Sequence, residues 1–325
     1  MSDNKKGHFG DAALSVLHNV QKNTTENGAC LTGHLGGFSK FRNKSSCNYR
    51  YQAYERAKEN VEIKKRLQSY KARLSTNSIE TSAYPAESES MTPAYYCARL
   101  PAPQAGDWDV TGPNRVVTRT TFSKKTYGIP IGHNFTQDTW PYWNNAHHLI
   151  PKGTLKERIL EEDSQVSELM QKALLKAKYN INHKFNMLLM PQDREVAELL
   201  DLPRHIQLKD DDEPDLAAMC TDHPAYNEMV REMDSGLDAI IQDYKEICDQ
   251  KIEEGEHDVP DGLLDKARLE SLSKRLLRII LDWGSDARGG SLEKMSMREK
   301  KKQKATGAPE GSRGSVKRRK LGDGK

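Results

Sequence analysis

The sequence predicts a mostly helical α+β chain with a few short strands near its middle, a polar helical N-terminal region and a disordered basic C-terminal tail. Three observations lead there. After about residue 150, apolar residues recur at helical spacing over long windows, which marks helices with one buried face. Between Asp107 and Tyr142 the texture changes to β-branched and aromatic residues beside Gly112-Pro113 and Tyr127-Gly128, which suits short strands and turns. The composition is polar, 36% hydrophobic and 30% charged, against about 45–50% and about 25% in ordinary globular domains. The chain of 325 residues therefore builds a core over only part of its length, although roughly 150 residues per domain would give about two domains.

Taken in order, a helical period is visible near Asp11–Lys22 and again over about Tyr51–Leu74. Lys, Arg and Glu dominate the second stretch, so it reads as a solvated helix or a partner surface. Ser75–Pro103 is a composition break and a linker. Val116, Val117, Thr118, Thr120, Thr121 and Phe122 supply the strand residues. The run Trp140 to Pro151, with Ala146-His147-His148 inside it, comes next. Thr154 and Glu157 form a T-x-x-E capping box ahead of Leu155, Ile159, Val166, Leu169, Met170, Ala173 and Leu174, which predicts one helix ending near Tyr179-Asn180. A short apolar segment, Ile181–Pro191, is followed by the acidic stretch Asp210–Asp215, read as a solvated loop because it lacks calcium-loop spacing. A second helix opens at His223-Pro224, where proline suits the first helical position, and its apolar stripe runs to Ile247. A third covers about Leu263–Trp283, with periodicity lost from Gly284 onward. The expected units are an N-terminal region and linker (1–102), a central domain (103–250), a C-terminal helix packing on it (251–290) and the disordered basic tail (291–325).

The net charge of +3 hides an asymmetry. From Glu293 to the end there are 12 Lys+Arg and 4 Asp+Glu, while the remaining 292 residues hold 38 basic and 43 acidic groups. A globally basic nucleic-acid binder is excluded, so such binding must come from a local patch. No window approaches the roughly 18 consecutive apolar residues of a membrane span, and the first residues carry no apolar secretory signal. The expectation is a cytoplasmic protein, or one delivered into a target cell by a signal-independent machine. Five cysteines at wide spacing, with no C-x-x-C, argue against a disulfide framework or a zinc site made of four cysteines. They read as small half-buried thiols in a reducing compartment.

The chemistry centres on His147-His148. Neighbours on a regular strand point to opposite faces, whereas at a bulge or strand exit both can address one site. Imidazole can ligate a divalent cation through a neutral nitrogen or act as a general base near neutral pH. Further along come Asn186-Met187-Leu188-Leu189-Met190-Pro191 and then His223 at a helix start. His183 and His205 lie between these landmarks, and Asp222 beside His223 suits the positive end of a helix.

This ordered set, His-His, helix, Asn-x-Leu-Leu-x-Pro, then His opening a helix, resembles the HNH nuclease superfamily, whose ββα-metal site uses two short strands and a helix. Within it the chain is similar to the AHH family, named for the tripeptide found here at Ala146–His148 and known chiefly as toxin nuclease domains in bacterial competition. The resemblance covers roughly residues 140–237. It implies that His147 and His223 ligate one divalent cation (Mg2+, Mn2+, Zn2+ or Ni2+), that His148 is the general base, and that Asn186 orients His148. The implied activity is metal-dependent endonuclease cleavage of nucleic acid, DNA ahead of RNA, by an antibacterial toxin or effector with a cognate immunity protein and a delivery machinery.

On that reading Lys152, Lys156 and Arg158 contact phosphates, and Trp140 and Trp143 stack near bases. The tail clusters Lys300-Lys301-Lys302 and Lys317-Arg318-Arg319-Lys320 add sequence-independent affinity by counterion release. The second cluster also looks like a nuclear-import signal. The competing expectation is a non-catalytic interaction protein with a structural His metal site and a nucleic-acid-binding tail. Structural zinc sites usually have four protein ligands, cysteine prominent among them, and no cysteine neighbours His147 or His148.

Overall fold

A computed structural model describes residues 12–32, 44–59, 116–120, 126–129, 131, 144–191, 197–198, 200–205, 223–255, 259–260 and 262–305. The fold is α+β, with two small antiparallel sheets among helices. In chain order these are α1 (Ala12–Leu17), α2 (Tyr49–Glu59), β1 (Val117–Thr120), β2 (Thr126–Ile129), β3 (Asn144–His148), α3 (Lys152–Leu160), α4 (Ser164–Lys176), β4 (Met187–Pro191), α5 (Pro224–Glu232), α6 (Leu237–Glu253), α7 (Ala267–Asp286) and α8 (Leu292–Ala305). No helix among the described residues is long and apolar enough to cross a membrane. Strands β1 and β2 pair antiparallel in the segment whose β-branched texture predicted short strands.

The site is positioned by the β3–β4 pair. All five residues of β4 are buried, so the Met-Leu-Leu-Met run is a strand covered on both faces rather than an alternating one. It holds β3 in register, with His147 opposite Leu188 and His148 opposite Met187. Helix α2 packs on this pair, and the core continues through Leu155, Leu174, Tyr226, Ile241 and Leu276.

The boundary expected at residue 102 does not separate two cores among the described residues. Leu14, Ala29, Leu31, Ala53 and Ala57 join the same buried cluster as the central domain. Backbone bonds sew Cys30 between Tyr179 and Ile181 (2.9 and 2.9 Å), and buried Arg50 donates to Asn144 on β3 (3.0 Å). Polar composition misled here because much of this contact is hydrogen bonding, which carries no periodic signature.

The single helix expected from Thr154 is two helices, α3 and α4. Thr154 lies buried inside α3 and caps nothing; Pro151 precedes that helix without a side-chain cap. Asp163 is the residue that accepts from a free N–H, that of Gln165 (2.9 Å), and so opens α4. Likewise the long helix from His223 breaks at residues 233–236, where Ser235 takes a positive φ of 51°, leaving α5 and α6.

The tail expected to be disordered from residue 291 contains α8. Ser291 Oγ accepts from Lys294 N (3.2 Å), and Leu292, Met295 and Ser296 are buried. Its face is narrow, small and interrupted by charge, so no apolar periodicity marks it in the sequence. Gly284, expected to end the third helix, sits inside α7. A Cβ there would fall 2.0 Å from the Asp201 carbonyl oxygen, so its role is close backbone approach. Trp140, Trp143, Asp210–Asp215, Asp222 and residues 306–325 lie outside the described residues.

Candidate metal centre

His147 leaves β3 on the face turned toward α5, and there it meets two other imidazoles. His205 follows the Leu202–Arg204 segment, anchored by its own N–H on Pro191 O (2.8 Å) at the end of β4. His223 is the residue before Pro224, at the mouth of α5. The ring centroids form a near-equilateral triangle, 4.8 Å from His147 to His205, 5.0 Å from His147 to His223 and 5.0 Å from His205 to His223. One donor nitrogen from each lies within 4.8 Å of the others, so the group could hold a metal ion.

Two further facts fit a cation. His147 Nδ1 and His205 Nε2 lie 2.9 Å apart, at hydrogen-bond distance, while the opposite nitrogens, His147 Nε2 and His205 Nδ1, are buried with no hydrogen-bond partner, an arrangement costly for polar atoms unless something binds them. Burial, followed by the repulsion of the neighbouring histidines, holds both rings well below the usual imidazole range. They are therefore neutral at physiological pH and keep the lone pairs a cation requires. About 3.4 Å separates neighbouring nitrogens around a tetrahedral ion bound at about 2.0–2.1 Å, a spacing this triangle can reach by small side-chain shifts.

The C-terminal segment braces the triangle. Arg204 N donates to Gly290 O (2.8 Å), Leu292 N donates to Arg204 O (2.9 Å), and Arg204 Nε donates to Gly289 O (2.7 Å). These bonds fix the residue before His205. Buried Glu293 accepts from Ala225 N with both carboxylate oxygens (3.0 and 2.9 Å), placing a negative charge at the positive end of α5 beside His223. His223 Nδ1 meets Asn227 Oδ1 at 2.9 Å, a carbonyl partner of the kind that orients ligating histidines. Tyr226, fully buried, packs against His147 and His223 and donates its hydroxyl to Leu149 O (2.7 Å).

His148 ends β3 on the other side, half-buried, with its ring 5.2 Å from that of Tyr49. Its Nε2 lies 3.0 Å from Asn182 Oδ1. The Asn182 amide nitrogen donates to Thr32 O (2.7 Å), which fixes which end of the amide faces His148. Nε2 therefore carries the hydrogen and Nδ1 the lone pair. Burial pushes the ring down to about 4, against the Asn182 hydrogen bond and helped by the charges of Lys152 and His223. A neutral ring whose Nδ1 keeps its lone pair has the form of a general base.

Asn186, expected to orient His148, makes no hydrogen bond to it. Its oxygen accepts from Ile150 N (2.8 Å) and Ser273 Oγ (2.8 Å), and its nitrogen donates to Ile150 O (3.2 Å) and Ile181 O (2.8 Å). It clamps the loop just after the His pair to the turn before β4, and Asn182 occupies the orienting position instead. His183 points away, to Glu26 at 3.1 Å. Among the expected phosphate contacts, Lys152 and Lys156 are exposed on α3. Arg158 is paired with Asp238 at 2.7 Å and with Glu161, so its charge is largely spoken for.

The sequence marks His205 without giving it a role, and nothing in it singles out Asn182. A Leu-Pro-Arg-His segment carries no periodic signal, and Asn182 is one of three asparagines in seven residues. No family model, no curated protein and no solved structure matches the chain.

Proposed function

We propose that the chain is a metal-dependent endonuclease hydrolysing phosphodiester bonds, DNA ahead of RNA, and acting as an antibacterial toxin or effector. The observation that carries the nuclease reading is the meeting of His147, His205 and His223 in one buried triangle, with His148, whose tautomer Asn182 sets, next to His147 in the chain at the end of β3 and on its opposite face. The order of these residues along the chain, with β3 and β4 antiparallel and α5 beginning at His223, also supports the resemblance to the AHH family. The toxin context, with its immunity protein and delivery machinery, rests on that resemblance alone.

His147, His205 and His223 would hold one divalent cation, for which three imidazoles favour Zn2+ or Ni2+ over Mg2+ or Mn2+, and which when bound supplies positive charge to the scissile phosphate and its leaving oxygen. His148 Nδ1 takes a proton from water as the water oxygen bonds to phosphorus, while the phosphorus–oxygen bond to the leaving 3′ oxygen breaks. Asn182 keeps the opposite nitrogen protonated, so the lone pair stays on Nδ1 throughout the approach. Lys152, one turn past the pair, and Lys156 offer positive charge to flanking phosphates.

Purified full-length protein and its His148→Ala and His205→Ala variants, incubated with plasmid DNA and with RNA under each of the four cations, test this. The His148→Ala change should lower cutting by about 10^2–10^4-fold, the usual worth of a general base, and His205→Ala should reduce both cation binding and cutting. Wild-type cutting by His148→Ala that also persists in EDTA overturns the assignment.

A further inference from the structure

A second donor cluster lies outside the His triangle. His18 follows α1, Cys30 lies in the segment bridged to Asn180, and Cys47 sits in the turn before α2. Bridges between Asn19 and Ala29 and between Lys22 and Ser45 draw these three stretches together. His18 Nε2 is 3.3 Å from Cys47 Sγ, and the donor atoms of all three residues lie within 4.8 Å of one another. Both sulfurs are buried and His18 is half-buried.

We propose that His18, Cys30 and Cys47 form a second metal site, for a thiophilic divalent cation of the Zn2+ class. The described residues supply three of the four positions of a tetrahedral ion. Two thiolates neutralise a dication, so the loaded site carries no net charge in its buried pocket, a large advantage in a low-dielectric interior. The all-imidazole triangle has no such compensation, so the two sites differ in the partner they need. Thiolate donors select Zn2+ over hard cations such as Mg2+.

The surroundings favour ligating sulfur over a Cys30–Cys47 disulfide. The Asn182 amide N–H donates to Cys30 Sγ (3.3 Å), and the Ser46 hydroxyl lies 3.8 Å from Cys47 Sγ. An N–H group aimed at sulfur stabilises a thiolate ligand, and His18 Nε2 stands within reach of Cys47 Sγ as a third donor. The Cys30 thiol donates to Thr32 O (2.8 Å). On binding, that proton and any held by Cys47 pass to solvent as the two metal–sulfur bonds form. The site staples a polar N-terminal region onto the core, a task that small or polar segments commonly give to a metal. Asn182 touches both Cys30 and His148, so loading this site also steadies the amide that holds His148. That last link rests on the nuclease reading; the metal site does not.

Reduced, metal-stripped full-length protein titrated with Co2+ provides the test, because thiolate-to-cobalt charge transfer absorbs in the near ultraviolet and imidazole ligation alone does not. The expected result is a band that saturates with one thiolate-bound cobalt per chain and is abolished by Zn2+. It should be retained in His147→Ala and lost in Cys30→Ser and Cys47→Ser. His18→Ala, a change at a half-exposed position that leaves both sulfurs in place, should keep the band but weaken cobalt binding by about tenfold or more. If the serine variants fail to fold, the wild-type titration and His18→Ala decide. Absence of the band in wild type, its survival in both serine variants, or unchanged affinity in His18→Ala overturns the proposal. None of these readings depends on nuclease activity.

Discussion

Replacing Asn186 with alanine should be a stability mutation before it is a catalytic one. The side chain is 3% exposed and makes four hydrogen bonds, to Ile150 N, Ile150 O, Ile181 O and Ser273 Oγ. At about 1 kcal/mol for each net bond, the direct loss is about 4 kcal/mol. The Ile150 N–H is then buried without a partner, which adds about 1–3 kcal/mol unless the loop opens to water. The expected cost of about 4–7 kcal/mol is a large part of the roughly 5–15 kcal/mol that holds a domain together. Urea unfolding followed by circular dichroism would show it as a lower midpoint at unchanged slope. Ser273→Ala, which removes one of the four bonds, should cost about 1 kcal/mol. An Asn186→Ala loss below about 1 kcal/mol would refute the clamp and return Asn186 to candidacy as a residue acting on His148.

Two other outcomes can be checked alongside. Burial pushes Glu26 up, but the hydrogen bonds and charges of Lys184 and His183 outweigh it and bring the carboxyl down to about 2. Because its folded value lies below the ordinary 4.5, its stabilisation is full above 4.5 and fades as pH falls toward 2. Half of the Glu26 side chain is exposed, so screening limits Glu26→Gln to a loss of about 1 kcal/mol at pH 7. Melts at descending pH should show the difference from wild type shrinking across that window. Glu293→Ala removes the carboxylate at the start of α5 and should cost about 2 kcal/mol as a charge-assisted bond lost from a buried site. Calorimetric titration with Zn2+ or Ni2+ should show weaker binding at the His triangle, while a chain ending at residue 305 binds as wild type does.

The landmarks legible in the sequence were those set by local chemistry. Pro224 marked the start of α5 because the first helical position tolerates a missing N–H. The unbroken apolar run of β4 marked a short apolar segment without deciding between strand and helix, and the adjacent imidazoles at the end of β3 announced a site. What escaped notice depends on tertiary contact. His205 belongs to the site through a backbone bond to Pro191 and the Arg204 brace, neither of which leaves a pattern in composition. Asn182 and Asn186 are chemically identical, and only the fold decides that one reaches an imidazole while the other reaches peptide groups. The paired helices α3–α4 and α5–α6 read as single helices because an apolar stripe can continue across a short break. Wide spacing between Cys30 and Cys47 concealed their meeting, since two backbone bridges set that distance.

The brace from Gly289 to Glu293 ties the metal centre to a segment that follows all three of its histidines in the sequence. Two of the three imidazoles are held by that segment, so the pocket closes around an ion only once those residues have been made and have folded back. Synthesis of this stretch is thus a structural precondition for loading. A protein truncated by premature termination before this segment would carry all three histidines yet lack the frame that gathers them.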